Sequence, residues 1–228
     1  MSILFIRGFN TNMTSSYDET KFTYSNFDNF FEMSKYDFNY FNYSPEENLD
    51  DVYSKLETQL MNGSYTILMG HSMGGGLLLK FLTEHPEKIE TYNKIIFLMP
   101  MITKVFSTEL ICKIPFIDKM YLPKCLIIPN NNLFNNGNIL NDSFKLLCSK
   151  QVVTMYNDKN YISKMNLSII DKPNCVMIYA KDEMLSTISS DVLEKIENKY
   201  ILEGKHEMFN ELNHSTGFFR TLKLLLDQ

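Results

Sequence analysis

The stretch from Met69 to Gly76 reads MGHSMGGG, and within it Gly70-His71-Ser72-Met73-Gly74 completes a G-x-S-x-G pattern. An apolar, β-type run from Tyr65 to Met69 leads in, and a helix-like run from Leu77 to Leu82 leads out. A strand that turns at once into a helix leaves its serine clear of both elements, with the hydroxyl exposed at the top of a sheet. The two outer glycines are expected because such a turn is strained and a Cβ there would clash. Ser72 is therefore the candidate nucleophile.

The rest of the chain repeats this strand–helix rhythm. Ser2 to Arg7 reads as a strand and Tyr17 to Ser34 as partly helical. Asp37 to Tyr43 alternates polar and aromatic residues like a strand. Ser44-Pro45-Glu46-Glu47 has the residues of a helix start, and Asn62-Gly63 those of its stop. After the nucleophile, His85-Pro86 ends a helix and Lys94 to Met99 forms a strand. Asn174 to Ala180 is a later strand, Ile188 to Asn198 a helix, Tyr200 to Leu202 a short last strand, and Ser215 to Asp227 a closing amphipathic helix. Strands alternating with helices imply a parallel sheet covered on both faces.

Residues 101–172 interrupt the rhythm. They carry apolar helical fragments around Phe106, Leu110, Ile114, Phe116 and Tyr121, then an asparagine-rich stretch from Pro129 to Asn138. A long insertion after the strand that follows the nucleophile helix lies over the strand C-termini, where ligands bind. It reads as a small cap, with 1–100 and 173–228 forming the core. The Met and aromatic residues of the insertion are equally compatible with an acyl pocket and with ordinary core.

Composition excludes several alternatives. The 228 residues are 44% hydrophobic and 21% charged, ordinary for one globular domain. A net charge of −5 without a basic block argues against nucleic acid as partner. No apolar run reaches the length of a membrane span. The first residues, MSILFIRG, are too short and too sparsely basic for a signal peptide, so a cytoplasmic location is expected. Cys112, Cys125, Cys148 and Cys175 show no C-x-x-C spacing and are expected as free thiols. His206-Glu207-Met208-Phe209-Asn210 is not H-E-x-x-H, and Gly74-Gly75-Gly76 lacks the Lys-Ser/Thr of a phosphate loop. No metal or organic cofactor is expected.

A serine hydroxyl needs a base to become nucleophilic, and the base needs an orienting carboxylate. Of the four histidines, His71 lies inside the turn and should point away from Ser72, while His85 precedes a proline at a helix end. His206 follows the last strand, from where a base can reach the nucleophile, and His214 is its competitor. Asp182 directly follows the strand ending at Ala180 and is the expected acid, with Glu183 its near competitor and Asp171 and Asp158 more distant ones. A merely turn-capping Asp182 is the bland alternative. The backbone N–H groups of Met73 and Phe9 are the candidate oxyanion donors, one after the nucleophile and one in the loop after the first strand.

The set Arg7-Gly8-Phe9, G-H-S-M-G-G, Asp182 and His206 resembles the α/β-hydrolase superfamily. Within it, G-H-S-M-G-G and the acids after the histidine, in His206-Glu207-Met208-Phe209-Asn210-Glu211, resemble the monoglyceride lipase and lysophospholipase-like (serine aminopeptidase-like) group. The resemblance spans nearly the whole chain and is weakest over 101–155. It implies an α/β-hydrolase fold with a mostly parallel sheet of about six strands, beginning at the family's third strand and leaving an edge that could pair with a partner. It also implies a serine hydrolase acting on carboxylic esters of acyl or lipid-like small molecules through Ser72, Asp182 and His206. The same triad serves acyl-thioesters and acyl transfer, and a catalytically inactive ligand- or partner-binding homologue is the reading from another class. Arg7 stands where the family has histidine, a change expected to alter polarity near the site.

Overall fold

The computed structural model describes residues 1–8, 19–44, 46–103, 116, 121–123, 146–148, 150–158, 160–183 and 186–227. Six strands form one sheet: β1 (Ser2–Ile6), β2 (Asp37–Phe41), β3 (Ile67–His71), β4 (Lys94–Leu98), β7 (Cys175–Ala180) and β8 (Lys199–Leu202). Their order is β2-β1-β3-β4-β7-β8, and every pairing is parallel. Two further strands among the described residues, β5 (Tyr121–Pro123) and β6 (Leu146–Cys148), make a separate antiparallel ribbon.

β1, β3, β4 and β7 look like uninterrupted apolar runs because they are buried on both faces. The pleat nevertheless sorts their residues with period two. Leu4, Leu68, Ile95, Phe97, Met177 and Tyr179 enter one core; Ile3, Phe5, Ile67, Met69, Ile96, Ile178 and Ala180 enter the other. The first core is covered by α2 (Leu49–Asn62) and α3 (Met73–Glu84), through Val52, Leu56, Leu78 and Phe81. The second is covered by α1 (Glu19–Glu32) and the C-terminal helix Ser215–Leu226, through Tyr24, Phe27, Phe218 and Leu222. Ring contacts join these layers; Phe5 stacks on Phe27 at 5.0 Å, and Phe31 on Phe38 of β2 at 4.1 Å.

Three local expectations are corrected. Ser44 does not cap a helix, since α2 begins at Leu49 with Asn48 at its N-cap. Ser44 and Glu47 instead close a turn, in which the Ser44 N–H donates to Glu47 Oε1 at 2.7 Å. The Gln151 side chain ties that turn to the helix α4 (Lys150–Asn157), donating to the Ser44 and Glu47 carbonyls. The helix expected over 188–198 is α5 (Ser190–Lys195), which makes the C-terminal helix α6. Tyr121 lies in a strand rather than a helical fragment, because Leu146–Cys148 supplies a partner far along the chain.

The insertion is not uniform. Val153, Met155, Tyr161, Ile169 and Ile170 belong to the first core, so the chain from α4 onward packs on α2 and α3. Phe106, Leu110 and Ile114 and the asparagine-rich stretch lie outside the described residues. Cys175 is free, and burial pushes its thiol pKa up to about 12. Among the described residues, no helix is long and apolar enough to cross a membrane.

Candidate active site

Ser72 stands between the end of β3 and the start of α3 with φ 52° and ψ −120°. The positive φ belongs to the serine and not to its flanking glycines, since Gly204 is the one glycine of positive φ among the described residues. The glycines serve close approach. A Cβ on Gly74 would lie 2.2 Å from the Ile6 carbonyl oxygen, and one on Gly70 would lie 2.8 Å from that of Gly74. The start of α3 is thereby seated against the end of β1. Three backbone hydrogen bonds hold the strained residue: its N–H donates to Leu98, and its carbonyl accepts from Gly76 and Met101.

The loop after β1 lies against this turn. A Cβ on Gly8 would be 3.2 Å from Ser72 Cβ. Gly8 is clamped from two sides, its N–H donating to the Tyr24 hydroxyl at 2.9 Å and its carbonyl accepting from Tyr43 at 2.7 Å. Phe9 lies outside the described residues. Met73 opens α3, so its N–H is among the first-turn amides that a helix leaves without an internal acceptor. The Arg7 guanidinium is buried and donates to the carbonyls of Phe41 and Tyr43, which fastens β1 to the end of β2.

His206 follows β8 and is 3% exposed. Its loop is held by Glu211, which accepts the Lys205 N–H at 2.8 Å, and by Asn26 of α1, which donates to the Phe209 carbonyl at 3.0 Å. The imidazole of His206 sits 4.8 Å from that of His71, the residue before Ser72. His85 pairs with Glu57 and His214 with Glu211.

The carboxylate beside His206 is that of Glu183, not of Asp182. His206 Nδ1 lies 3.0 and 2.9 Å from the two Glu183 oxygens, and the Glu183 side chain is fully buried. Asp182 is exposed. The reason is the way β7 ends. Lys181 and Asp182 still follow the edge of β8, donating to the Leu202 and Gly204 carbonyls, while the Glu183 N–H turns back to Ala180. That turn points the next side chain inward, where the Ser186 N–H also donates to it at 2.9 Å. Burial by itself would lower the His206 pKa; the charge and hydrogen bond of Glu183, with a smaller effect from Glu207, outweigh it and leave the pKa raised.

Sequence reasoning missed Tyr24. Its hydroxyl contacts both Gly8 and His71, yet nothing in its segment marks it beyond one tyrosine among the phenylalanines of α1.

The six-stranded parallel sheet, its helix layers and the strained serine at the end of β3 decide the architecture. The chain has the α/β-hydrolase fold. At the level of sequence it matches no protein-family model and no curated protein. It is similar in structure to a monoacylglycerol lipase from Paleococcus ferrophilus, with a TM-score of 0.62 at 11% identity over 99% of this chain and 94% of that one. It is also similar to a soluble variant of the Saccharomyces cerevisiae monoglyceride lipase, with a TM-score of 0.61 at 14% identity over 99% and 86% of the two chains. An N-formylmaleamic acid deformylase from Pseudomonas putida S16 superposes with a TM-score of 0.57 at 11% identity over 96% and 91%. Among the described residues no group of three or more metal-ligating side chains occurs.

Proposed function

We propose that this α/β-hydrolase-fold protein is a serine hydrolase that cleaves carboxylic esters of small acyl or lipid-like molecules through Ser72, His206 and Glu183. The observation that carries the reading is the buried His206–Glu183 pair lying against the strained Ser72 turn. Lipases among the structurally similar proteins support the ester class.

With Nδ1 of His206 held by Glu183, Nε2 is the nitrogen left to take the Ser72 proton as the hydroxyl oxygen attacks the carbonyl carbon. Glu183 orients the ring and stabilises the imidazolium that forms. The tetrahedral oxyanion is met by the Met73 N–H and a second amide. Gly8 cannot supply the second, because its N–H is already donated to Tyr24. The Phe9 N–H, next along the loop, takes that role. The imidazolium then protonates the leaving alcohol, and water, deprotonated by His206, releases the acyl group from Ser72. The cap is assigned to the insertion of residues 101–172, in the part that includes the β5–β6 ribbon. The protein acts in the cytoplasm in this reading.

Fluorophosphonate labelling with peptide mass spectrometry tests the scheme. Label on Ser72 that is lost in Ser72→Ala, with turnover of short-chain esters lost in parallel, is the expected result. Undiminished turnover by Ser72→Ala overturns it. Hydrolysis of acyl-thioesters alongside inert oxyesters moves the assignment to a thioesterase, and a folded protein that takes no label is a binding homologue.

A further inference from the structure

We propose that Tyr24 and His71 form a buried positioning relay that fixes the backbones of the oxyanion loop and of the histidine loop to the nucleophile strand. It rests on the serine-hydrolase reading above, but its geometry stands apart from turnover.

The direction of each hydrogen bond follows from donor and acceptor chemistry. His71 Nε2 lies 3.3 Å from the His206 carbonyl oxygen, which can only accept, so Nε2 carries a proton. His71 Nδ1 lies 2.9 Å from the Tyr24 hydroxyl, and that hydroxyl accepts the Gly8 N–H at 2.9 Å. A neutral His71 presents a lone pair at Nδ1, so Tyr24 donates its O–H there. The chain then runs from the Gly8 N–H to the Tyr24 oxygen, from the Tyr24 O–H to His71 Nδ1, and from His71 Nε2–H to the His206 carbonyl. Each bond in it has one donor and one acceptor.

Packing keeps the relay in place. Tyr24 is fully buried and His71 is 2% exposed. The His71 ring meets Tyr24 edge-on at 5.8 Å and Phe209 edge-on at 5.2 Å. Burial, and then repulsion from His206, hold the His71 pKa well below the ordinary histidine value, against the opposing pull of the His206 carbonyl. A charged His71 would set a second cation 4.8 Å from the imidazolium formed during catalysis.

The relay touches no reacting atom. It acts through Gly8, which leads to the Phe9 amide, and through the backbone of His206. His71 follows the period-two alternation of β3 onto the same face as Ile67 and Met69, so the strand that delivers Ser72 also sets the height of both loops.

The test combines nitrogen NMR of the imidazoles with kinetics of three variants. In the wild-type protein His71 is expected as the Nε2–H tautomer, untitrated across the neutral range; an Nδ1–H tautomer or a titrating His71 overturns the relay. Tyr24→Phe keeps the ring and removes the hydroxyl, and should lower kcat about 10- to 100-fold with KM little changed. His71→Gln places a donor amide where Nε2 was and should retain more kcat than His71→Leu. Wild-type kcat in folded Tyr24→Phe, or equal losses in the two His71 variants, overturns the proposal. Absence of fluorophosphonate labelling in the wild type would instead overturn the serine-hydrolase reading, while the tautomer result would still report on the relay.

Discussion

Glu183 and His206 meet in the dry interior, with both carboxylate oxygens within 3.0 Å of the imidazole Nδ1. The neighbouring Asp182 points to solvent. Glu183→Gln leaves shape nearly unchanged but replaces an acceptor-only carboxylate by an amide, which no longer fixes the productive tautomer. A fall in kcat of about 10⁴-fold is expected, the scale of such an acid-to-amide change in a triad. Asp182→Asn should stay within about threefold of wild type, as an exposed change far from buried partners. Steady-state kinetics on one short-chain ester compares the two.

In the proposed mechanism the same pair sets the acid limb of activity. The base must be neutral to accept the Ser72 proton, and its pKa is raised above 6.5. kcat/KM should therefore fall as pH drops through an inflection above 6.5. In Glu183→Gln the larger raising influence is gone, leaving only that of Glu207 against an unchanged burial, so the residual activity should show its acid inflection at lower pH. An unmoved inflection would separate His206 from the limb.

His71 makes the opposite contribution to stability. Its folded-state pKa is depressed, so below 6.5 the unfolded chain binds a proton that the folded protein does not. Stability from this group is present above 6.5 and falls with acidification, by up to about 1.4 kcal/mol per pH unit until the folded pKa is reached. His71→Gln lacks this dependence. The stability gap between wild type and His71→Gln should narrow as pH is lowered, which urea denaturation at neutral and mildly acidic pH measures.

Two glycines should respond in opposite senses to alanine. At Gly74 the added Cβ would meet the Ile6 and Arg7 carbonyl oxygens at 2.2 and 2.4 Å, rigid backbone on both counts. Gly74→Ala should cost about 3 kcal/mol or more and disturb the Ser72 turn. At Gly217, in the exposed first turn of α6, nothing lies within 4 Å of the Cβ. Gly217→Ala should add about 0.5–1 kcal/mol by lowering the entropy of the unfolded chain. Thermal melts of the two variants give the comparison.

Local chemistry was enough to read much of the protein from its sequence. The apolar runs ending at Ile6, Met69, Met99 and Ala180 are strands because residues buried on both faces of a parallel sheet have no polar side to show. The G-x-S-x-G between a strand and a helix marked Ser72, and the position after the last strand marked His206. Choosing between Asp182 and Glu183 depended on where β7 leaves the sheet. Adjacent residues point to opposite sides of a chain, and the turn at Lys181–Asp182 is set by pairing with the Leu202 and Gly204 carbonyls, some twenty residues on. Ser44 likewise read as a helix cap until Gln151 and Glu47 claimed it for a turn. Tyr24 and Tyr43 carry no motif, and the motif around Arg7 says nothing of what its guanidinium holds; their partners Gly8, His71 and Phe41 reach them only once the strands are laid side by side. Sequence determined most of the sheet strands and the strand-to-helix turn that carries Ser72, because periodicity and turn chemistry act over a few residues. Tertiary structure decided which carboxylate meets His206, what clamps Gly8 and what His71 contacts, because each is a hydrogen bond between buried segments far apart in the chain.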